Sequence, residues 1–238
     1  MQMTTNKTSI IIQAFDNSII ERAITWACID CIHKYTDDYE IILIDQGKIA
    51  SLDSWNTRDA SVDQHIIPEQ DMGYSWAMNK GAELATGEYL CFMHNDIFVS
   101  EGWLLKLIRY IKEEKGSFVV PTTCVVPREY VKKYAEMTHE EIKDIGGYYD
   151  AGMIVMSRAH YDTTDGWDND LRCVYHGAAF ADHRGGRGGF GLWATPEVIL
   201  THIGQTQHYD LEKTEKNTDR ENEIYHNRYL DNQWKRLR

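Results

Sequence analysis

No apolar run in the 238-residue sequence approaches the roughly 20 residues that a membrane-spanning helix needs. The opening residues, Met1–Thr8, are polar and carry no secretion-signal pattern. Cysteine is scarce and scattered: Cys28, Cys31, Cys91, Cys124 and Cys173 make no disulfide framework. An odd count without an export signal leads us to expect reduced thiols in a cytoplasm. Cys28 and Cys31 have the C-x-x-C spacing, but no second such pair completes a zinc site. Both thiols are expected to face the core from a helical run. Basic charge is also in deficit, with 25 Lys and Arg against 37 Asp and Glu and a net charge of -12. A nucleic-acid binder normally shows the opposite bias, so DNA or RNA is disfavoured as a main partner. The terminal Lys235-Arg236-Leu237-Arg238 is a small basic tip. The expectation is a soluble cytoplasmic protein with, at most, peripheral membrane contact.

Three catalytic signatures are missing. No G-x-G-x-x-G follows the first apolar strand, which argues against a dinucleotide dehydrogenase. No G-x-x-x-x-G-K-[ST] phosphate loop and no G-x-S-x-G nucleophile elbow occur either. The late string from Gly186 to Gly191 matches the first pattern only loosely and has no strong strand before it.

What is present is a globular chain: 42% apolar and 26% charged residues, with a length suited to one sizeable domain. Thr8–Ala14, Glu40–Asp45, Glu88–Met93, Ser117–Pro121, Ala151–Ser157 and Glu197–Thr201 read as strands, with a short one at His65–Pro68. Ile19–Tyr35, Gly73–Ala85 and Gly102–Lys115 read as helices. In the first of them Ile20, Ala23, Ile24, Ala27 and Cys31 mark the expected apolar face. Arg128–Ile145 is expected to be helical, and 211–238 to hold a C-terminal helix. His183–Gly191 has five glycines in nine residues and reads as a flexible loop. Near-continuous apolar strands alternating with helices give an α/β fold, a mostly parallel central sheet flanked by helices.

Ligands of open α/β sheets bind beyond the carboxyl ends of the strands. Three such ends carry Phe15-Asp16, Asp45 and His94-Asn95-Asp96. Acidic groups gathered there suit two tasks: accepting hydrogen bonds from a ribose and base, and holding a divalent cation against a diphosphate. Taken singly, Asp16 and Asp45 are equally consistent with strand ends that simply meet solvent. The placement of His94-Asn95-Asp96, between a buried strand and the apolar run Ile97-Phe98-Val99, favours function.

Four segments resemble the family 2 glycosyltransferases, inverting enzymes of the GT-A fold. They are SIIIQAFDNSIIERAI, EIILIDQGK, MGYSWAMNKGAELATGEYLCFMHNDIFV and DAGMIVMSRAHYDTTDGWDND. The resemblance covers about residues 8–205. It implies a single GT-A-like domain over 1–238, with a Rossmann-like nucleotide-sugar-binding half at about 8–115. An acceptor and catalytic half follows at about 116–205, and a C-terminal helical extension at about 211–238. It implies donor contacts from Ala14, Phe15, Asp16, Asp45, Asn79, His94 and Asn95, and a Mn²⁺ or Mg²⁺ ion held by Asp96 and His202. Trp167 and Asp168 fall on the acceptor side, where the Trp167 ring is either a sugar platform or core. Trp193 has the same two readings.

The sequence departs from the family twice. His94 stands where the D-x-D motif has its first aspartate. The usual Glu-Asp pair is replaced by Tyr175–Arg184, YHGAAFADHR, whose one acid, Asp182, is the nominated general base; Asp168 and Asp170 are the fallbacks. Arg184 and Arg187 are expected to close over the phosphates. The expected reaction moves a sugar from a nucleotide-sugar donor to a glycan or other hydroxyl acceptor. Two alternatives remain: a degenerate module that binds nucleotide or glycan without turnover, and a sugar-phosphate nucleotidyltransferase. Gln13-Ala14-Phe15-Asp16 argues against the second, because no glycine- and arginine-rich loop follows the first strand.

Overall fold

The computed structural model of the chain describes residues 7–49, 62–113, 118–123, 152–172, 192–203 and 219–227. The strands are β1 (Thr8–Ala14), β2 (Tyr39–Asp45), β3 (Gln64–Ile66), β4 (Tyr89–His94), β5 (Ile97–Phe98), β6 (Phe118–Thr123), β7 (Met153–Ser157) and β8 (Leu192–His202). The helices are α1 (Ile19–Tyr35), α2 (Tyr74–Leu84), α3 (Trp103–Glu113), the single turn α4 (Arg158–Tyr161), and α5 at 219–227. Among the described residues no helix is long and apolar enough to cross a membrane.

Among the described residues, one sheet carries eight strands in the order β3-β2-β1-β4-β7-β6-β8-β5. β3, β2, β1 and β4 run parallel. β7 is inserted antiparallel between β4 and β6, and β6 pairs parallel with β8. β8 is longer than the sequence pattern indicates. Its register against β6 slips between Pro121 and Thr122, and its last residues pair antiparallel with the two-residue β5.

Successive residues of the central strands feed opposite faces of the sheet. Ile10, Ile12, Ile41, Leu43, Cys91 and Met93 pack toward α1 and α3, meeting Cys28, Ile29, Ile32, Trp103, Leu107 and Ile111. Ile11, Ile42, Ile44, Leu90 and Phe92 pack toward α2 and Trp167. This two-sided burial is why the strands read as unbroken apolar runs.

α1 starts where the sequence predicts. The Ser18 hydroxyl accepts from the Glu21 amide at 3.3 Å, while the Glu21 carboxylate accepts from the Asn17 amide at 2.8 Å. The buried face of α1, however, is not the predicted one. It comprises Glu21, Arg22, Thr25, Cys28, Ile29 and Ile32, and Ile20 is 74% exposed. Apolar periodicity points to the wrong face because Arg22 and Thr25 are buried to serve Asp16 and Asp45. Of the C-x-x-C thiols, Cys28 is buried and Cys31 half-buried, and both are free. The expected helix at Arg128–Ile145 lies outside the described residues.

The amino ends of the strands are tied by a buried carboxylate. Glu40 accepts from Ser9 Oγ (2.5 Å), the Thr86 amide (2.6 Å), Thr86 Oγ1 (2.9 Å) and Lys7 Nζ (3.0 Å). Burial raises the Glu40 carboxyl, but these donors outweigh it and hold the group at about 2. At the far end of α2 the Arg158 guanidinium donates to the carbonyls of Ala82, Ala85 and Gly87, filling acceptors that the helix terminus leaves open. All of this leaves the opposite, carboxyl edge of the sheet for chemistry.

Candidate active site

Parallel pairing brings the three predicted strand ends together. Ala14 is opposite Asp45 in the register of β1 and β2, and Gln13 is opposite His94 in that of β1 and β4. The Ala14 carbonyl accepts from the Gln46 amide at 2.9 Å, and the Phe15 carbonyl from the Asn17 side chain at 3.2 Å.

Asp16 and Asp45 are fully buried and share Arg22. Its Nη2 lies 3.3 Å from Asp45 Oδ2 and its Nε 3.7 Å from Asp16 Oδ2, and it also donates to the Ile49 carbonyl. Burial first, and then the charge of Asp45, push the Asp16 carboxyl up. The Thr25 hydroxyl (2.8 Å) and Arg22 pull it back, leaving it at about 7. Burial raises Asp45 too, against the Gly47 amide at 3.0 Å and Arg22. Gly47 is required here: a Cβ would sit 2.1 Å from the Asp16 carbonyl oxygen. Gln46 carries the arrangement to α2, accepting from the Met72 amide (2.8 Å) and donating to the Gly73 carbonyl (3.3 Å).

Asn95 is placed differently from its neighbours in the His94-Asn95-Asp96 string. It is 4% exposed and donates to Thr25 Oγ1 at 2.6 Å and Asp16 Oδ1 at 3.3 Å. Its amide therefore links the end of β4 to β1 and α1.

His94, Asp96 and His202 converge, with their ligand atoms all within 4.8 Å of one another. His202 Nε2 lies 3.1 Å from Asp96 Oδ1. The His94 ring stands edge-on to Tyr74 (5.1 Å between centroids) and to His202 (5.4 Å). Donors bonded at about 2.1 Å to one ion lie roughly 3–3.5 Å apart as neighbours. Asp96 and His202 already have that spacing, and the set would hold a divalent cation once the His94 ring draws in.

On the second side of α2, Asn79 fixes the loop that follows α4. Its Oδ1 accepts from the Trp167 amide (2.8 Å) and the Tyr161 hydroxyl (3.0 Å). Its Nδ2 donates to the Trp167 carbonyl (2.9 Å) and Asn169 Oδ1 (2.8 Å). Gly166, at φ +69, lets this approach happen; a Cβ there would meet Asn79 Oδ1 at 2.7 Å. The Trp167 ring is 2% exposed and packs edge-on to Tyr74 and Phe92. Of its two readings the geometry gives core, and no face is open for a sugar to stack on. Asp168 is nearly buried and accepts from the Asp170 amide at 3.1 Å, while Asp170 is half-buried. The loop ends at Arg172, whose amide donates to the buried Glu221 of α5 and whose guanidinium holds Asp71.

The nominated base Asp182 and the arginines Arg184 and Arg187 lie outside the described residues, as does the Trp193 side chain. Sequence reasoning missed Arg22, Thr25 and Gln46. The available signal was a basic residue in the first turn of the helix that follows the strand-end Asp16, which the apolar-face pattern concealed.

A model of the family described as "Glycosyl transferase family 2" matches residues 9–179. A "PGL/p-HBAD biosynthesis glycosyltransferase" from Mycobacterium bovis (strain BCG / Pasteur 1173P2) is 33% identical over 103 residues, 41% of this chain and 40% of that protein. A protein of the same description from Mycobacterium tuberculosis (strain ATCC 25177 / H37Ra) matches equally. The chain thus spans well under half the length of these relatives. Among solved structures, GalNAc-T7 with UDP, GalNAc and Mn²⁺ superposes with a TM-score of 0.65 at 16% identity, covering 82% of this chain and 43% of that one. S. aureus TarS 1-349 in complex with UDP gives 0.60 at 13%, covering 82% and 60%. At such identities the likeness is one of fold, and the α/β GT-A-like sheet flanked by helices is that fold.

Proposed function

The chain belongs to glycosyl transferase family 2, and from that premise we propose that it moves a sugar from a nucleotide-sugar donor to an acceptor hydroxyl with inversion at the anomeric carbon. One observation carries the reading. The Asp16–Arg22–Asp45 group and the His94–Asp96–His202 group sit at the same carboxyl edge of one sheet, the first at the ends of β1 and β2, the second at the end of the neighbouring β4 and completed by His202 of β8.

Each group has its own task in this reaction. Asp45 accepts a hydrogen bond from the nucleoside base, with Arg22 and the Gly47 amide setting its direction. Asp16 and Asp45 are fully buried here, so Asp45 must become exposed for the base to reach it. Asp96 and His202 would hold a divalent ion, Mn²⁺ or Mg²⁺, which would neutralise charge on the departing diphosphate, with His94 beside them on the donor side. Asn95 keeps the β4 end against Asp16 and Thr25 and so fixes the turn that presents Asp96. Asn79 acts on the donor side only through the loop it clamps. Asp182 takes the proton of the attacking hydroxyl, with Asp168 and Asp170 as the fallbacks. Arg184 and Arg187 meet the phosphates. The acceptor is a glycan or another hydroxyl-bearing molecule. The free thiols of Cys28, Cys31 and Cys91 support the cytoplasm as the compartment where this happens.

The deciding experiment is a panel of nucleotide sugars with Mn²⁺, Mg²⁺ or EDTA, followed by thermal shift and by release of nucleoside diphosphate. One donor should raise the melting temperature and be turned over only with the ion. If no donor binds under any condition, the transferase reading fails and a module without turnover takes its place.

A further inference from the structure

The identity of residue 94 has a chemical consequence separate from the reaction. We infer that His94 is itself a ligand of the divalent ion and sets its identity, making the site prefer a first-row transition ion over Mg²⁺. This rests on the glycosyltransferase reading for the purpose of the site, though not for its coordination chemistry.

Three features lead there. First, a ring nitrogen of His94 belongs to the same 4.8 Å cluster as the Asp96 oxygen and the His202 nitrogen. The protein therefore offers three donors, two of them imidazoles. Second, the His94 ring is packed against an aromatic stack. Tyr74 stands edge-on to it at 5.1 Å, and Tyr74 is backed in turn by Trp167 at 5.5 Å. The planes of His94 and His202 are inclined by 62° at 5.4 Å, as two rings that aim nitrogens at a common point can be. Third, the donor set is one carboxylate and two imidazoles. Mg²⁺ favours oxygen ligands, near-octahedral geometry and several retained waters. Imidazole suits the later first-row ions, and affinity rises from Mn²⁺ through Fe²⁺, Co²⁺ and Ni²⁺. An aspartate at position 94 would restore an oxygen and remove half of the nitrogen character.

Any mixed nitrogen and oxygen site ranks Mg²⁺ low to some degree, so the informative quantity is the change on substitution. The full chain would be titrated calorimetrically with Mg²⁺, Mn²⁺ and Co²⁺, each alone and with UDP. Wild type and the His94→Asp and His94→Ala variants would be compared. Mn²⁺ bound to wild type would also be studied by pulsed electron paramagnetic resonance for couplings to imidazole nitrogen. Wild type should favour Co²⁺ and Mn²⁺ over Mg²⁺, and His94→Asp should narrow that preference by about tenfold or more. Wild type should show two imidazole couplings and His94→Ala one. An unchanged preference in His94→Asp, a single coupling in wild type, or no saturable ion binding would each overturn the inference. Should either variant fail to fold, the wild-type spectrum decides alone. Donor binding without these signatures removes this inference and leaves the transferase proposal standing. Two couplings with no nucleotide sugar bound would do the reverse.

Discussion

Asp96 and His202 meet at 3.1 Å, Oδ1 to Nε2, because the backbones that carry them are paired. Ile97 of β5 stands opposite His202 of β8, and the Ile203 amide donates to the Asp96 carbonyl at 3.1 Å. Donors held this way need little reorganisation to receive a cation. Asp96→Asn keeps the shape and removes the charge. It is expected to lower ion-dependent release of nucleoside diphosphate by about 10²-fold or more, since several kcal/mol of charge stabilisation would go with it. An unchanged initial rate at saturating ion would contradict this.

Asn79 is a clamp in this fold, with both ends of its amide engaged by Tyr161, Trp167 and Asn169. Asn79→Ala leaves buried backbone groups of Trp167 without a partner and should destabilise the fold by about 2 kcal/mol. The apparent KM for the donor should change little among molecules that remain folded. A donor KM raised at least about tenfold with unchanged urea stability would instead mark Asn79 as a direct donor contact.

Asp16 makes stability depend on pH in an unusual direction. Its folded carboxyl is raised from 3.8 to about 7, so the folded state keeps a proton that the unfolded chain has lost across that window. Folding stability contributed by this group therefore falls as pH rises through it and levels off above about 7. Asp16→Asn removes the titration. The stability of the variant relative to wild type should rise from about pH 4 to about pH 7, as read from urea midpoints. A difference independent of pH would show that the raised value is wrong.

Glu40 acts in the opposite sense at the other end of the strands. Its folded carboxyl is lowered from 4.5 to about 2. Its contribution is complete above about 4.5 and is lost as pH falls toward about 2. Glu40→Gln should cost at most about 3 kcal/mol at neutral pH. The gap to wild type should close in acid, and a gap that persists at about pH 2 would exclude this origin.

Much of the frame was legible in the sequence, and the reason differs by element. Thr8–Ala14 and Ile19–Tyr35 were read with the bounds they have, because a β-branched run and a Ser18-to-Glu21 cap are local signals. The buried face of α1 was misread because periodicity counts apolar residues. Here a buried arginine and threonine serve two aspartates brought from other strands. β5 escaped notice because two residues have no pattern of their own. β8 was read too short because its outer part is defined by pairing with β6. At the candidate site, the strand-end aspartates and the His94 string follow from the sheet-edge rule alone. His202 entered only through the family resemblance, since nothing local marks a histidine that becomes useful by pairing with β5. The sequence leaves Trp167 open to both core and site, and burial between Tyr74 and Phe92 places it in the core.

The late position of His202 also orders events during synthesis. β1, β2 and β4 leave the ribosome early, and with them come His94 and Asp96. The strand that carries His202 follows only after residue 192. A nascent or stalled chain that ends before it has His94 and Asp96 but lacks both His202 and the β8 edge that pairs with β5 next to Asp96. Under the proposed function, ion capture would therefore wait until translation has passed β8.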